Sequence, residues 1–511
     1  MAEDKKVTTI PQPEQAPSEV KVVKTDGDAK NGQTKCPKCG STDITLDVKT
    51  GKLCCNFCHN IFDPVQVAGL ENDISKLQGT VIGSGAKNID RASSDFITIK
   101  CTSCGAEVVV DTASAMGARC HWCRNYLSVN EQVPNGSVPD VVLPFKVPKE
   151  EARTSIETFV GKRKFFAHPQ FKQEFTTENI MGVYFPYMVV DVNSHAKLVG
   201  QGEHEVRRYT VGTGDDRETY YDADLYDVSR DFDLTIDGLT IESNSDRLNN
   251  TSKEKTNNII NSIMPFDIEN CVKYDANYLR GYNSEKRDTD VEQLDDIIYV
   301  QSKDIARHAA NDTLSFYDRG VEWQQEDFNI KGSQWKAAYL PVWLYSYQQV
   351  KKDNSKLLHY VAVNARTKET MGSVPIHMPK LLFFSFLVEI LGVFLFYFSF
   401  VALNSDSSDD GSLLPFVFLL SGIIFFFAMK NRYRNAGARH TYEKETKKQM
   451  SNLIQSDVYV RRKTQLKNSR MTGANNTRVE GIQVAKKTAN KIIDEINKNI
   501  NQVNDEINKN K

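Results

Sequence analysis

Two apolar runs near residue 400 stand out from the otherwise mixed pattern of hydrophobic and polar positions. Residues 381–403, LLFFSFLVEILGVFLFYFSFVAL, form a nearly uninterrupted apolar run of 23 residues whose one charged residue is Glu389. As a helix this run is about 34 Å long, enough for a bilayer core of about 30 Å. A second run of 17 residues covers 413–429, and the intervening NSDSSDDGS is acidic and free of Lys and Arg. Lys380 precedes the first run, and Lys430, Arg432, Arg434 and Arg439 follow the second. Basic flanks around an acidic loop predict a transmembrane hairpin. Its helices cover 381–403 and 413–429, 404–412 is the external loop, and both termini are cytoplasmic. A carboxylate at membrane depth is costly, so Glu389 is expected to be protonated or to lean to the interface, with contact to another membrane protein as the alternative.

A different pattern fills 140–375. HAKLVGQGEHEVRRYTV (195–211) and TYYDADLYDVSRDFDLTIDG (219–238) alternate polar and apolar positions as antiparallel strands do. YFPYMVV (184–190) and YLPVWLY (339–345) read as aromatic strands, and LLHYVAVNARTKETMG (357–372) as a strand and turn. KEEAR (149–153) precedes the first aromatic strand and KDIAR (303–307) the second, at nearly equal offsets of 154 and 155 residues. This spacing points to an internal duplication in which each half is a helix followed by an aromatic strand. The expected fold is an α+β domain with an antiparallel sheet over 140–375. Alternation assigns Tyr339, Trp343, Tyr345 and Tyr347 to the sheet core in preference to a ligand pocket. At the C-terminal end, Val479, Ile482, Ala485, Ala489, Ile492 and Ile496 follow three-and-four spacing and predict an amphipathic helix over 480–508. A basic linker is expected at 430–478.

Charge separates these regions further. Residues 430–511 hold nineteen Lys/Arg against eight Asp/Glu, a net of +11, whereas 131–380 hold thirty against thirty-nine, a net of −9. The basic tail suits an anionic leaflet, and the acidic middle argues against a large nucleic-acid surface. Residues 1–34 are polar and read as a disordered leader without a secretory signal.

Eight of the ten cysteines form four Cys-x-x-Cys pairs. Cys36, Cys39, Cys55 and Cys58 make one module (35–62), and Cys101, Cys104, Cys120 and Cys123 a second (96–130), with a linker at 63–95. Both have the form C-x2-C-x15-C-x2-C. Each pair sets two thiolates on one tight turn, and a spacer of that length allows a hairpin to return the second pair. Four thiolates fill a tetrahedral ion, so the expectation is two structural Zn²⁺ per chain rather than disulfides, redox chemistry or a catalytic metal. Cys54 and His59 are alternative ligands beside the second turn, but only Cys55 keeps the two-residue gap to Cys58.

With CPKCG at Cys36 and CTSCGAEVV at Cys101, each module resembles a TFIIB-type zinc ribbon. From about residue 35 to 380, and more loosely through the apolar runs, the chain resembles a bacterial, mostly Gram-positive, family of zinc-ribbon membrane proteins. That resemblance implies paired ribbons ahead of a larger domain; ribbons of this type serve transcription factors as well as rigid adaptors, and no enzyme activity carries over from it. The sequence itself contains no phosphate loop, nucleophile elbow, metalloprotease helix or dinucleotide fingerprint. GTGDDRET (212–219) lacks the Walker lysine, and His204 and Glu205 are adjacent rather than at metalloprotease spacing. The reading is a membrane-anchored zinc-ribbon adaptor or scaffold, with the bilayer and a protein as partners. The protein would be met by the ribbons, around Phe57, Ile61, Phe62 and Trp122, or by the C-terminal helix. Its rivals are a membrane-tethered nucleic-acid-binding protein and a ligand-binding domain or enzyme. Net charges of only +2 over 35–61 and +1 over 96–130 weigh against nucleic acid.

Overall fold

The computed structural model describes residues 20–23, 35–63, 73–87, 96–103, 106–111, 118–128, 132–133, 139–212, 218–243, 263–264, 266–287, 289–350, 356–405, 418, 420–434 and 464–483. β1 (Val20–Val23) precedes the first cysteine module, which folds as an antiparallel sheet of β2 (Ile44–Asp47), β3 (Lys52–Cys55) and β4 (Ile61–Phe62). β5 (Gly79–Gly83) pairs in parallel with β1. The second module supplies β6 (Phe96–Lys100) and β7 (Glu107–Asp111), with β8 (Gln132–Val133) on the other edge of β6. β9 (Val141–Val142) leads to α1 (Lys149–Gly161) and α2 (Pro169–Glu174). A long hairpin follows, β10 (Met181–Val211) and β11 (Glu218–Glu242), then β12 (Val272–Lys273), β13 (Asn283–Glu285) and α3 (Val291–Asn311). β14 (Val321–Val350), β15 (Lys356–Asn364) and β16 (Thr370–Gly372) form a meander. α4 (Met378–Ser405), α5 (Ser421–Arg434) and β17 (Thr464–Gln483) complete the described elements.

Fourteen of these strands join in one sheet whose centre runs β17, β11, β10, β14, β15, β16. Its long pairs are antiparallel, but β5 and β9 lie parallel to β14, and β13 parallel to β10, so the sheet is mixed. The two Tyr-x-Pro strands pair with each other: Tyr184 stands opposite Pro341, Phe185 opposite Leu340 and Pro186 opposite Tyr339. Their surroundings repeat as well. Val183 and Tyr184 take β13 in parallel where Ala338 and Tyr339 take β9, and Tyr187 meets Glu242 where Val342 meets Asn364.

Alternation sorts the side chains onto two buried faces. Tyr184, Met188 and Val190, with Trp335, Ala337 and Tyr339, lie on the face covered by α1 and α3. α3 starts at a capping box between Asp290 and Gln293 and buries Leu294, Ile298 and Ile305. α1 carries Glu150 and Glu151 in its first turn, where they suit the helix dipole, and buries Ala152, Ile156, Phe159 and Val160. On the opposite face Phe185, Tyr187 and Leu340 pack against the second cysteine module. Tyr339, Trp343, Tyr345 and Tyr347 are all buried, as alternation predicts.

α4 contains the whole 381–403 run, and its 22-residue stretch Met378–Ser399 is long and apolar enough to cross a membrane. It turns apolar side chains outward, including Leu382, Phe383, Phe386, Ile390 and Phe394. α5 packs beside it. Glu389 Oε2 accepts the Gly422 N–H at 2.7 Å, and Ser421 Oγ donates to Val388 O at 3.2 Å. Glu389 thereby satisfies an N–H in the first turn of α5, which has no partner within its own helix.

Several segments differ from the sequence expectation. Residues 20–23, inside the expected leader, form β1, and 79–83, inside the expected linker, form β5. Part of the expected basic linker (464–478) and the start of the expected C-terminal helix form β17, paired with β11. The rest of that helix, 484–508, lies outside the described residues, as do 406–412 of the loop and 413–417 of the second apolar run.

Candidate metal centres

Each Cys-x-x-Cys turn is closed the same way. The N–H of the first cysteine donates to the carbonyl five residues on: Cys36 to Ser41 at 2.8 Å, Cys55 to Asn60 at 3.0 Å, Cys101 to Ala106 at 2.8 Å and Cys120 to Asn125 at 2.9 Å. In three of the turns the residue after the second cysteine donates back to the first cysteine's carbonyl: Gly40, His59 and Arg124. All three have positive φ, at 75°, 54° and 64°. β2 and β3 bring the two turns of the first module together, placing Ile44 opposite Cys55.

The sulfurs of Cys36, Cys39, Cys55 and Cys58 all lie within 4.8 Å of one another. Cys36–Cys58 and Cys39–Cys55 are each 3.6 Å apart. Zn–S bonds of about 2.3 Å in a tetrahedron set neighbouring sulfurs roughly 3.8 Å apart, whereas a disulfide needs about 2.05 Å. The donor set and spacing therefore fit a zinc ion. Burial raises the Cys36 thiol, but the Lys38 and Cys39 amides and the Cys58 and Cys39 sulfurs outweigh it and bring it down to about 6. The Cys58 amide leads the groups that lower Cys55. The Ser41 amide lowers Cys39, but burial and the Cys58, Cys55 and Cys36 sulfurs outweigh it and push it up to about 12, so the sulfurs crowd one another where a cation would sit among them.

In the second module Cys101, Cys120 and Cys123 cluster within the same limit, with Cys101 and Cys123 at 3.4 Å. Cys104 lies outside the described residues. Cys54 and His59 are not in the first cluster; Cys54 Sγ faces the Cys55 carbonyl at 3.9 Å.

Both modules are fastened to the large domain by one short stretch. Arg280 pairs with Asp43 of the first module at 3.1 Å. Five residues later β13 pairs with β7, and Lys286 meets Glu107 at 2.9 Å. Buried Glu285 accepts the Trp122 indole N–H at 2.6 Å and lies 3.1 Å from His121 Nε2. Trp122 also packs edge-on against Tyr360 and Phe185. The sequence expectation of Trp122 as a partner-facing residue is therefore corrected: it is 4% exposed and holds the module to the sheet. Glu285 was not anticipated, because nothing local marks a carboxylate whose partners lie more than 160 residues away. Phe57 and Ile61 do face solvent, while Phe62 packs against the core.

Among the described residues these features define a mixed α/β protein with two cysteine clusters of metal-binding geometry and one long apolar helix. The chain is similar to the uncharacterized protein YdjG of Bacillus subtilis (strain 168), 24% identical over 346 residues, which cover 68% of this chain and 91% of that one. No protein-family model matches the chain, and no solved structure matches it.

Proposed function

We propose that this protein is a cytoplasm-facing, membrane-anchored zinc-ribbon adaptor or scaffold with two structural zinc ions and no catalytic role. The observation that carries this reading is mechanical continuity: both cysteine modules are fixed to a sheet that is itself packed on the foot of the apolar helix. Four thiolates leave no open coordination position for substrate, which suits a structural metal. Residues 413–429 serve as a second span. In support, the end of α5 returns to the loop that meets the start of α4, through Arg163 to Arg432 O and Lys380 to Phe165 O. The large domain is a duplicated helix–strand–strand unit, a reading favoured by the matching registers around Phe185 and Leu340. The solvent-facing Phe57 and Ile61 are the ribbon surface offered to a protein partner.

Nucleic-acid binding is the reading to test against. Several ribbon cations are already engaged: Lys52 pairs with Asp63 at 3.0 Å, and Arg124 and Arg119 stack on Tyr345 and Tyr126. Labelled duplex and single-stranded DNA titrated into detergent-solubilised full-length protein at physiological salt should bind only weakly. Submicromolar affinity would overturn the adaptor reading if it fell by roughly 0.9 log units per phosphate contact with rising salt and vanished when Lys35, Lys38, Lys49 and Lys100 were neutralised.

A further inference from the structure

The segment Lys-Arg-Lys-Phe-Phe at 162–166 leaves the end of α1 and runs to the foot of α4, more than two hundred residues later in the chain. The backbone after it is stitched to the residues just before α4: Ala167 bridges Ile376, His168 N–H donates to Pro375 O at 2.8 Å, and His377 N–H donates to Phe166 O at 2.8 Å. Phe166 packs against Phe384 and Phe425, and its N–H donates to Tyr433 Oη at 3.0 Å. Phe165 instead stays 54% exposed, with Lys380 Nζ 3.8 Å from its ring centre.

Among the described residues, cations converge here without an ion-paired carboxylate. Lys380 Nζ donates to Phe165 O at 2.9 Å and Lys172 Nζ to the same oxygen at 3.3 Å, so the two ammonium groups stand within about 6 Å of each other. Burial, then Lys380 and Lys164, lower the Lys172 pKa. Among the described residues no carboxylate forms an ion pair with Lys164, Lys172 or Lys380. An adjoining open cleft of about 430 Å³ is lined by Lys164, Lys172, Ala167 and Phe171. Its one carboxylate, Glu157, is held by Arg153 and Thr177, each at 3.0 Å.

We propose that this cleft and loop bind the headgroup of an anionic phospholipid, with Lys164, Lys172 and Lys380 on the phosphate and Phe165 at the acyl boundary. The inference rests on the membrane reading above and deepens it: the folded domain itself, not only the basic tail, is clamped to the leaflet. Lysines near the surface draw anionic lipid, and aromatic rings settle at headgroup level. The outward Leu382 and Phe383 at the same end of α4 favour a lipid over a soluble anion.

The full-length Phe165→Trp variant in nanodiscs provides the test, with the parent chain as background. Each disc carries zwitterionic lipid plus an equal mole fraction of brominated-chain phosphatidylglycerol or brominated-chain phosphatidylcholine. The brominated anionic lipid should quench the new tryptophan more strongly. Lys→Gln at position 164, 172 or 380 should each lower that preference by on the order of fivefold, and Lys→Arg should restore it. Added salt should shrink it. Equal quenching by the two lipids, or none by either, overturns the proposal. Alkaline carbonate extraction of the parent chain judges the membrane reading separately: release from the membrane would sink that reading, whatever the quenching shows.

Discussion

His59 and Arg124 hold φ near 54° and 64°, a region that side chains with a Cβ seldom occupy, because each closes a cysteine turn as Gly40 does at 75°. The geometry of the turn, not the chemistry of the imidazole, accounts for His59. The same register separates neighbours: Cys55 belongs to the sulfur cluster and Cys54 does not. Metal analysis of the purified chain should return about two zinc equivalents, from two four-thiolate sets. Cys55→Ser should remove one equivalent and unfold the first module, while Cys54→Ser should leave both. A Cys54→Ser variant short of one zinc, or a parent chain holding a single metal, would refute the assignment. The clustering of Cys36, Cys39, Cys55 and Cys58 and of Cys101, Cys120 and Cys123 was legible because spacing is local: a two-residue gap is enough to make the turn. Trp122 was misjudged because its partners, Glu285, Phe185 and Tyr360, come from distant strands.

Among the elements, legibility followed range in the same way. Alternation marked β10, β11, β14 and β15 and placed Tyr339 and Trp343 inside. It did not reveal that β10 and β14 pair through their two Tyr-x-Pro segments, since register is a property of two strands. The tail shows the limit most clearly. Its apolar spacing fitted a helix from 480, yet 480–483, together with 464–478 of the expected linker, lies along the acidic β11. The docking of the second ribbon can be tested at this scale. Trp122→Ala removes a buried indole and leaves Glu285 without its 2.6 Å donor, which should cost about 3–5 kcal/mol. A large fall in melting temperature should follow, with proteolysis first entering the second module. Because Trp122 is no ligand, zinc content of the intact chain should stay unchanged. A variant with the parent melting temperature would mean that the ribbon is not held by this contact.

At the scale of the whole molecule, the proposed orientation across a bilayer would tie metal to membrane. All ten cysteines lie between residues 36 and 271, on the N-terminal side of α4, so a single orientation decides the redox setting of every thiol. On the proposed reading the thiolates bind zinc and must stay reduced, which is the expectation for a cytoplasmic side. The charge pattern independently asks for the same arrangement: Lys380 at the foot of α4, Lys430 and Arg432 at the end of α5, and an acidic stretch between the two apolar runs. In the proposed hairpin Glu389 would favour the closed arrangement, since parting α4 from α5 would strip its 2.7 Å contact with Gly422 and leave a carboxylate facing lipid. Labelling of intact cells with a membrane-impermeant maleimide should therefore leave the parent chain unmodified. Ser408→Cys should gain one label, while Lys149→Cys and Ser456→Cys should gain theirs only after permeabilisation. Labelling at 456 as well as 408 in intact cells would reduce the anchor to one span. Labelling of the parent chain or of position 149 would invert the topology and remove the ground for reading these cysteines as zinc ligands.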